Sequence, residues 1–289
     1  MTITISVLHE WYGQSILLPL VLSWVATGIL RFAWGPLRGP KIASASAGMA
    51  FVLAYFVALG LPAWPSAGSA HNLFYLGLAG LLIGVILDSE GAGDRVRRIA
   101  VLVLPLLAVA WVIVPFSTGS LRAWDYVLIT SVGTAVAIMF MRLSRTSGSA
   151  VTAPIQLAVA AAGVAAIAWY GGNFFQVKAS LILAASSAGF LLWNWPVCRF
   201  PAGAALLLGA GIPLAALAAQ MALYGSASKA ALAVLVLVFF SDWIAGGIRL
   251  GGDRVSQIIR PLLVLVTGAL VIGAAALASV VQSWPTAGL

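Results

Sequence analysis

The sequence predicts an all-α integral membrane protein, a polytopic bundle of about ten transmembrane helices. Apolar residues make up 62% of its 289 residues and charged residues only 8%, and the mean hydropathy is +1.09. Soluble domains carry about 25% charged residues, so this chain has too few of them to cover a water-facing surface. Its apolar residues also gather into stretches of about 20, the length that crosses a bilayer.

Stretches of this length can be placed in order along the chain, each bounded by charged residues, proline or glycine clusters. They cover 12–31, 42–62, 73–88, 99–117, 125–142, 151–170, 174–195, 202–223, 230–249 and 258–281. Ten spans of about 21 residues leave about 80 residues for the termini and connections, too few for a soluble domain. The first stretch lacks the basic residues and the cleavage site of a secretory signal, so we expect it to remain as a span. A single membrane domain, 1–289, is predicted.

Tryptophan and glycine positions support these boundaries. Tryptophans favour the membrane–water interface, and most lie at predicted span ends: Trp11, Trp34, Trp64, Trp124, Trp169, Trp193, Trp195 and Trp284. Trp24, Trp111 and Trp243 are deeper, and we expect them to pack between helices. Gly80 and Gly84 form a G-x-x-x-G pair and small residues crowd 202–219, which predicts close helix packing.

The basic residues predict the orientation in the membrane. Of the 15 lysines and arginines, only Arg122, Lys178 and Lys229 lie outside one alternating set of connections. The positive-inside rule makes that set cytoplasmic, so both termini are expected outside a bacterial-type cytoplasmic (inner) membrane. Because the basic residues are divided among short connections, no groove for nucleic acid is expected, and the predicted partner is the lipid bilayer.

Three short motifs occur twice in the same order along the chain. They are Trp-Tyr-Gly at 11–13 and 169–171, W-x-x-x-R-x-P at 34–40 and 195–201, and Gly-Asp-Arg-Val at 93–96 and 252–255. They predict a parallel tandem repeat of spans one to four, 11–117, and spans seven to ten, 169–281, joined by two linking spans, 118–168. Equivalent spans are an even number apart, so the two units share one orientation and an axis along the membrane normal.

Asp242 is the strongest candidate for a functional residue. It precedes Arg249 by seven residues, which places it about 10 Å inside the ninth predicted span. Ionisable groups at such depth are costly and mark substrate or ion sites. With Ser241 beside it, Asp242 could bind a cation, carry a proton or pair a substrate amine. The alternative is a structural carboxylate satisfied by a neighbouring helix or by an arginine. Polar side chains that could line a path, or simply join helices, are Gln156, Gln176, Gln220 and Asn194.

A second cluster follows the third span and combines Asp88, Glu90, Asp94, Arg95 and Arg98. Carboxylate oxygens suit Mg²⁺ and arginines suit phosphate, so one hypothesis is a site for Mg²⁺ and a lipid diphosphate. The alternative is that Asp94 caps the helix that follows it while the arginines mark the cytoplasmic face. The repeated Gly-Asp pair favours capping, so no metal is assigned.

The string Gly91-Ala92-Gly93-Asp94 resembles the G-x-G-D of intramembrane aspartyl proteases and prepilin peptidases. Those families place a second catalytic aspartate on an earlier span, and no acidic residue lies between Glu10 and Asp88 here. The acidic cluster also resembles that of UbiA-type prenyltransferases, without their paired aspartate-rich motifs. No P-loop, H-E-x-x-H or G-x-S-x-G motif occurs, so the sequence predicts no cofactor and identifies no catalytic residue.

Three classes of function stay open. We expect a small-solute or ion transporter or permease subunit, because many spans, a parallel repeat and one deep carboxylate suit a translocation path. The alternative is a membrane-embedded enzyme acting on a lipid-linked or polyprenyl substrate at the cytoplasmic face. The third class is a structural or assembly subunit of a membrane complex. A homo-oligomer or a partner in such a complex is compatible with all three.

Overall fold

The computed structural model describes residues 11–62, 69–89, 93–117, 122–196, 198–225, 228–247 and 253–283. These residues form helices joined by short connections and include no strand. Ten helices are long and apolar enough to cross a membrane. The prediction of an all-α, multi-pass membrane protein is confirmed, and its outer surface contacts the lipid bilayer.

The predicted spans and the observed ones agree in number and order, and their ends differ by a few residues. The crossing segments are Gly13–Ala33, Arg38–Leu59, Asn72–Ser89, Asp94–Val114, Ala123–Thr146, Thr152–Tyr170, Phe174–Asn194, Ala204–Tyr224, Lys229–Gly247 and Ile259–Val280. We refer to them as the first to the tenth span. The helices containing the fourth and tenth spans are longer, Asp94–Ser117 and Asp253–Ser283.

The eighth span is the centre of the bundle. Of its apolar stretch, 83% is buried inside the protein, and it packs against every span from the second to the seventh. Alanine, glycine and leucine make up most of this span, and small side chains let neighbouring backbones approach closely. The first, fourth, fifth, ninth and tenth spans are each at most 33% buried, so they lie at the periphery.

The third span packs against the eighth through its glycines, which confirms the role predicted for the G-x-x-x-G pair. A Cβ atom at Gly80 would lie 2.9 Å from the Leu208 carbonyl carbon. A Cβ atom at Gly84 would lie 2.8 Å from the Ala205 nitrogen. Both distances are too short for real atoms, so only glycine permits this helix separation.

The expectation that the three deeper tryptophans pack between helices is wrong. Trp24 is 47% exposed, Trp111 is 53% exposed and Trp243 is 76% exposed. Trp24 lies on the outer surface, where it stacks against Trp193 with ring centroids 5.8 Å apart. Depth along a span does not imply burial, because lipid accepts a large apolar side chain as well as a protein interior does.

Two spans are interrupted by 3₁₀ turns. In the second span, Ala43–Ala45 separates the helices Gly35–Ile42 and Ser46–Leu59. In the ninth, Val236–Phe240 separates Lys229–Leu235 from Ser241–Gly247. A 3₁₀ stretch inside a helix often marks a hinge or a functional site. The break in the ninth span lies directly before Asp242.

The two copies of the W-x-x-x-R-x-P motif have different backbone conformations. Most of the first copy belongs to the helix Gly35–Ile42. The described residues of the second copy, 195–201, form a non-helical connection between the seventh and eighth spans. The tandem repeat of 11–117 and 169–281 stays a prediction.

Candidate functional site

Asp242 forms an ion pair with Arg142 of the fifth span. Arg142 Nη2 donates to Asp242 Oδ1 at 2.7 Å, and the two side chains are 17% and 26% exposed, respectively. The Arg142 guanidinium also lies over the Phe240 ring, 4.8 Å from its centroid. An unpaired charge inside a bilayer is costly, and each of these two groups supplies the opposite charge that the other needs. The ion pair joins the fifth span to the ninth where the ninth is interrupted.

Gln156 of the sixth span completes a hydrogen-bonded network around this pair. Its Nε2 atom donates to Asp242 Oδ1 at 3.2 Å and to the Phe239 carbonyl oxygen at 3.3 Å. The same carbonyl accepts from Arg142 Nε at 3.2 Å. Gln156 Oε1 accepts from Thr146 Oγ1 at 3.3 Å. Side chains from two other spans therefore satisfy a carbonyl of the 3₁₀ turn, as an irregular backbone within a bilayer requires.

A polar cavity of about 460 Å³ lies beside the ion pair, and Asp242 forms part of its wall. Other wall residues lie at the end of the fifth span, in the connection that follows it, at the start of the sixth span, in the connection after the seventh and at the start of the tenth: Arg145, Thr146, Ser149, Thr152, Cys198 and Arg260. Both side-chain contacts of Asp242 use Oδ1, and within the described part of the chain Oδ2 makes no hydrogen bond. Oδ2 is therefore available to a ligand in the cavity, whose volume is typical of small-molecule sites.

The cavity wall carries excess positive charge. Arg145 and Arg260 are both exposed wall residues. Among the described residues the one ion pair is Arg142–Asp242, so neither of these two arginines has a carboxylate partner there. Because Asp242 neutralises Arg142 alone, the local balance is positive.

Two apolar cavities lie farther along the ninth span, next to the fifth and eighth spans. Val236 and Phe239 line a cavity of about 60 Å³. Val236 also lines a second apolar cavity of about 170 Å³, which extends to Leu128 and Lys229 near the opposite ends of these spans.

Ser241, predicted to share the site with Asp242, takes no part in the cavity wall. Its side chain is buried, and its Oγ atom donates to the Val238 carbonyl at 2.7 Å, within the ninth span. The hydroxyl therefore stabilises the break in the span.

Asp88 lies apart from this site and caps a helix of another span. Its Oδ1 accepts from the Ala204 backbone nitrogen at 3.0 Å and its Oδ2 from the Ala205 nitrogen at 2.9 Å. Backbone nitrogens in the first turn of a helix have no acceptor within that helix, and Asp88 provides one for these two. The helix dipole also favours a negative charge at this end of the eighth span. Arg97 and Lys41 lie close enough to stabilise the carboxylate electrostatically. Both oxygens of Asp88 are therefore in use.

The remaining members of the acidic and basic cluster are spread along the start of the fourth span. Asp94, Arg95 and Arg98 are all exposed, and Asp94 is the first residue of its helix. The described residues contain no group of three or more His, Cys, Asp or Glu side chains placed to hold a metal. Glu90 lies outside the described residues. The site for Mg²⁺ and a lipid diphosphate, to which the sequence assigned no metal, stays an untested hypothesis.

Sequence reasoning missed Arg142 as a functional residue because the positive-inside rule accounts for it as a marker of topology. The available signal was its position. The fifth span continues to Thr146, so Arg142 lies a full turn inside the helix, between Met141 and Leu143. A basic residue at that depth needs a partner, and Asp242 is the partner that the structure provides.

Comparison with models of protein families finds no match, and comparison with curated proteins finds no significant match.

Proposed function

We propose that this protein is a transporter or permease of a small solute or ion, with Asp242 and Arg142 at its centre. One observation carries the proposal: the ninth span is interrupted where Asp242 pairs with Arg142 beside a polar cavity of about 460 Å³. Interrupted spans that place charged groups and backbone carbonyls within the membrane are the usual construction of transporter sites. In this proposal the ion pair is the barrier between the polar cavity and the rest of the path along the ninth span.

The ion pair has the features of a gate. It connects two peripheral spans, the fifth and the ninth. Asp242 forms part of the cavity wall, and Arg142 also donates to the Phe239 carbonyl in the 3₁₀ turn. A ligand that bound Asp242 Oδ2 or competed for Arg142 would change the free energy of the pair, which couples binding to movement of the ninth span. The 3₁₀ turn Val236–Phe240 is the hinge for that movement.

The alternative of an enzyme acting on a lipid-linked substrate has weaker support. Its metal site depends on Asp88, whose two oxygens accept backbone hydrogen bonds from Ala204 and Ala205. A carboxylate used in this way has little capacity left for Mg²⁺, which takes oxygen ligands in a nearly octahedral arrangement. The third class, an assembly subunit, becomes an outcome of the transport test.

The test compares the wild type with Asp242→Asn in proteoliposomes on a solid-supported membrane. Concentration jumps of sodium, protons, chloride, inorganic phosphate, acetate and glycine are applied, and the charge displaced is recorded. We expect the wild type to respond to at least one probe and Asp242→Asn to lose that response, because an amide has no negative charge with which to form the ion pair with Arg142. Asp125→Asn is the matched control, since that carboxylate caps the start of its own helix by accepting from the Arg122 nitrogen at 2.8 Å.

A structural role and a transport role are separated by the double variant Arg142→Gln/Asp242→Asn. Each single variant leaves one charge without its partner, which costs about 1–3 kcal/mol for a pair that is partly exposed. The double variant removes both charges, so it should recover stability without recovering the response. Absence of any response from the wild type would contradict the transport proposal and favour an assembly subunit. An equal response from the wild type and every variant would contradict the role of the ion pair as the gate.

The location that goes with this function is a bacterial-type cytoplasmic membrane with both termini outside. Arg145 near the end of the fifth span, Cys198 in the connection after the seventh and Arg260 near the start of the tenth meet at one cavity, so they lie at the same end of the bundle. The positive-inside rule makes this end of the bundle cytoplasmic. The polar cavity therefore opens toward the cytoplasm in this conformation.

A further inference from the structure

We propose that the polar cavity is an anion site in which Arg145 and Arg260 bind a phosphate or carboxylate group. The inference names the substrate class of the transporter and rests on that proposed function. The site is built by the ends of the fifth and sixth spans, the connection after the seventh and the beginning of the tenth.

The charges of the wall favour an anion over a cation. Arg145 and Arg260 line the cavity and have no carboxylate partner among the described residues. Asp242 is the one acidic residue among the described residues of the wall, and its charge is balanced by Arg142 at 2.7 Å. A cation would meet two unpaired guanidinium groups, whereas an anion supplies the negative charge that they lack. Guanidinium groups bind carboxylate and phosphate oxygens through paired, charge-assisted hydrogen bonds.

Hydroxyl groups add neutral donors to the same wall. Ser149 and Thr152 both line the cavity, and their Oγ and Oγ1 atoms lie 2.8 Å apart. Thr152 also donates its backbone nitrogen to Ser149 Oγ at 3.2 Å, which holds Ser149 in place at the start of the sixth span. One of the two hydroxyl protons is used in the contact between them, so the pair has one O–H left to donate, beside the two arginines, to a bound oxyanion.

The anion can be a soluble phosphate or carboxylate, or the headgroup of an anionic lipid, because all of these present the same oxygens. The two sources differ in one requirement: a headgroup arrives from the bilayer, whereas a free anion arrives from water. The test therefore changes the lipid and the soluble anion separately.

Cys198 allows occupancy of the cavity to be measured without introducing a cysteine. It is the one cysteine of the chain, it is exposed, and it forms part of the cavity wall. An anion held by Arg145 and Arg260 hinders a reagent that enters the cavity to reach the thiol. The rate of alkylation by uncharged N-ethylmaleimide, followed by intact-protein mass spectrometry, is then a readout of occupancy.

In nanodiscs of phosphatidylcholine, we expect inorganic phosphate to slow alkylation of Cys198 relative to chloride at equal ionic strength. Arg145→Gln and Arg260→Gln should each raise the half-protecting phosphate concentration about tenfold, the change expected on losing one charge-assisted contact. The ratio of rates with and without phosphate is compared within each variant, because removing an arginine also alters the reactivity of a nearby thiol.

Arg38→Gln is the matched control. Arg38 is exposed at the beginning of the second span, on the same predicted face, and is not part of the cavity wall. It should keep full protection by phosphate. If Arg38→Gln loses as much protection as the two cavity variants, the effect is general surface charge and the proposal is overturned.

A second set of nanodiscs contains phosphatidylglycerol, with chloride as the soluble anion. Protection by phosphate in phosphatidylcholine assigns the site to a soluble anion, and protection by phosphatidylglycerol alone assigns it to a headgroup. Absence of protection in both, or protection that survives Arg145→Gln and Arg260→Gln, overturns the anion site.

This assay measures binding alone, so its failure is distinct from failure of the transport proposal. Arginine-dependent protection with no response on the solid-supported membrane would leave the anion site standing and remove transport. A response lost in Asp242→Asn but without protection of Cys198 would leave transport standing and remove the anion site.

Discussion

At the scale of single residues, two aspartates with similar surroundings have different roles. Asp88 and Asp242 both lie near one end of a span and both have an arginine nearby. Asp88 uses both oxygens on the backbone nitrogens of Ala204 and Ala205. Asp242 uses Oδ1 alone, on Arg142 and Gln156, and forms part of the cavity wall. Their hydrogen-bond partners therefore assign Asp88 to structure and Asp242 to the site.

Removing the Asp88 cap should destabilise the fold. We expect Asp88→Ala to lower the free energy of unfolding by about 2 kcal/mol, the upper end for losing a helix cap, since two backbone donors lose their acceptor. Asp88→Asn keeps one acceptor oxygen and should show an intermediate loss. The measurement is unfolding in mixed micelles of a mild detergent and sodium dodecyl sulfate.

The neighbouring Ser89→Ala is the control for this prediction. Ser89 Oγ donates to the Ile86 carbonyl of its own helix at 3.1 Å, so its loss affects no other span. Unchanged stability of Asp88→Ala would show that water replaces the carboxylate, and the capping role would then be wrong. If Asp88 instead holds a metal, the Asp88→Ala chain would keep its stability and lose dependence on Mg²⁺.

At the scale of helices, the third span contacts the eighth through one stripe of residues four apart. Gly80 lies against Leu208, Gly84 against Ala205, and Asp88 reaches the nitrogens that begin the eighth helix. The spacing puts all three on one face of the third helix. The glycines bring the helices close enough for the carboxylate to reach the end of its neighbour, so packing and capping depend on each other.

Gly84→Ala should therefore force the third and eighth spans apart. The new Cβ atom would overlap the Ala205 backbone and lie 2.9 Å from the Ala204 carbonyl oxygen, and a backbone cannot move aside as a flexible side chain can. We expect a loss of about 1–3 kcal/mol in the free energy of unfolding, typical of an overpacked contact. Unfolding in mixed micelles measures it.

Gly133→Ala, in the fifth span, is the matched substitution, because a Cβ atom there meets nothing within 4 Å. It should change the unfolding free energy by no more than about 0.5 kcal/mol. A similar loss in both variants would mean that alanine acts through the helix backbone in general, and the close approach at Gly84 would not be the cause.

The ninth span shows how an interrupted helix is tolerated within a bilayer. Its 3₁₀ turn, Val236–Phe240, leaves the Phe239 carbonyl to accept from Arg142 and Gln156. In water such a break is easily solvated, but in a bilayer the carbonyl must find a donor within the protein. The side chains that satisfy the break are therefore the same ones that form the site.

At the scale of the whole molecule, a buried eighth span is surrounded by peripheral spans that carry the site. The fifth, ninth and tenth spans are at most 33% buried, whereas the eighth is 83% buried. Elements with fewer buried contacts open at a lower free-energy cost. The arrangement allows the fifth and ninth spans to move against a rigid centre, as the proposed gate requires.

The orientation of the whole bundle gives a prediction of its own. A membrane-impermeant maleimide should label Cys198 in inverted vesicles and not in intact cells, because the positive-inside rule places that connection in the cytoplasm. In a Cys198→Ser background, Arg122→Cys should show the opposite behaviour, since this exposed residue precedes the fifth span at the other end of the bundle.

Labelling of both positions from the same side would contradict the span count between them, which is odd. Labelling of Cys198 in intact cells and of Arg122→Cys in inverted vesicles would leave the fold intact and invert the predicted orientation. Reporter fusions at the two termini then check that both ends lie outside, as an even number of spans demands.

The sequence by itself determined that this chain spans a bilayer, how many times and in what order, since hydropathy sums over neighbouring residues and needs no tertiary contact. It also singled out Asp242 as an ionisable group within a span. Only the tertiary structure decided that Arg142, 100 residues away, is its partner and that Arg145 and Arg260 meet in one cavity.

The physical reason is that lipid and protein interior are equally apolar. A helix in water shows its buried face by an apolar stripe, but a span can be apolar on every side. The sequence of such a span does not reveal which face meets a neighbour, and so Trp24, Trp111 and Trp243 were wrongly expected inside. Which charges meet depends on the rotation of each helix about its axis, and only the packed bundle determines that rotation.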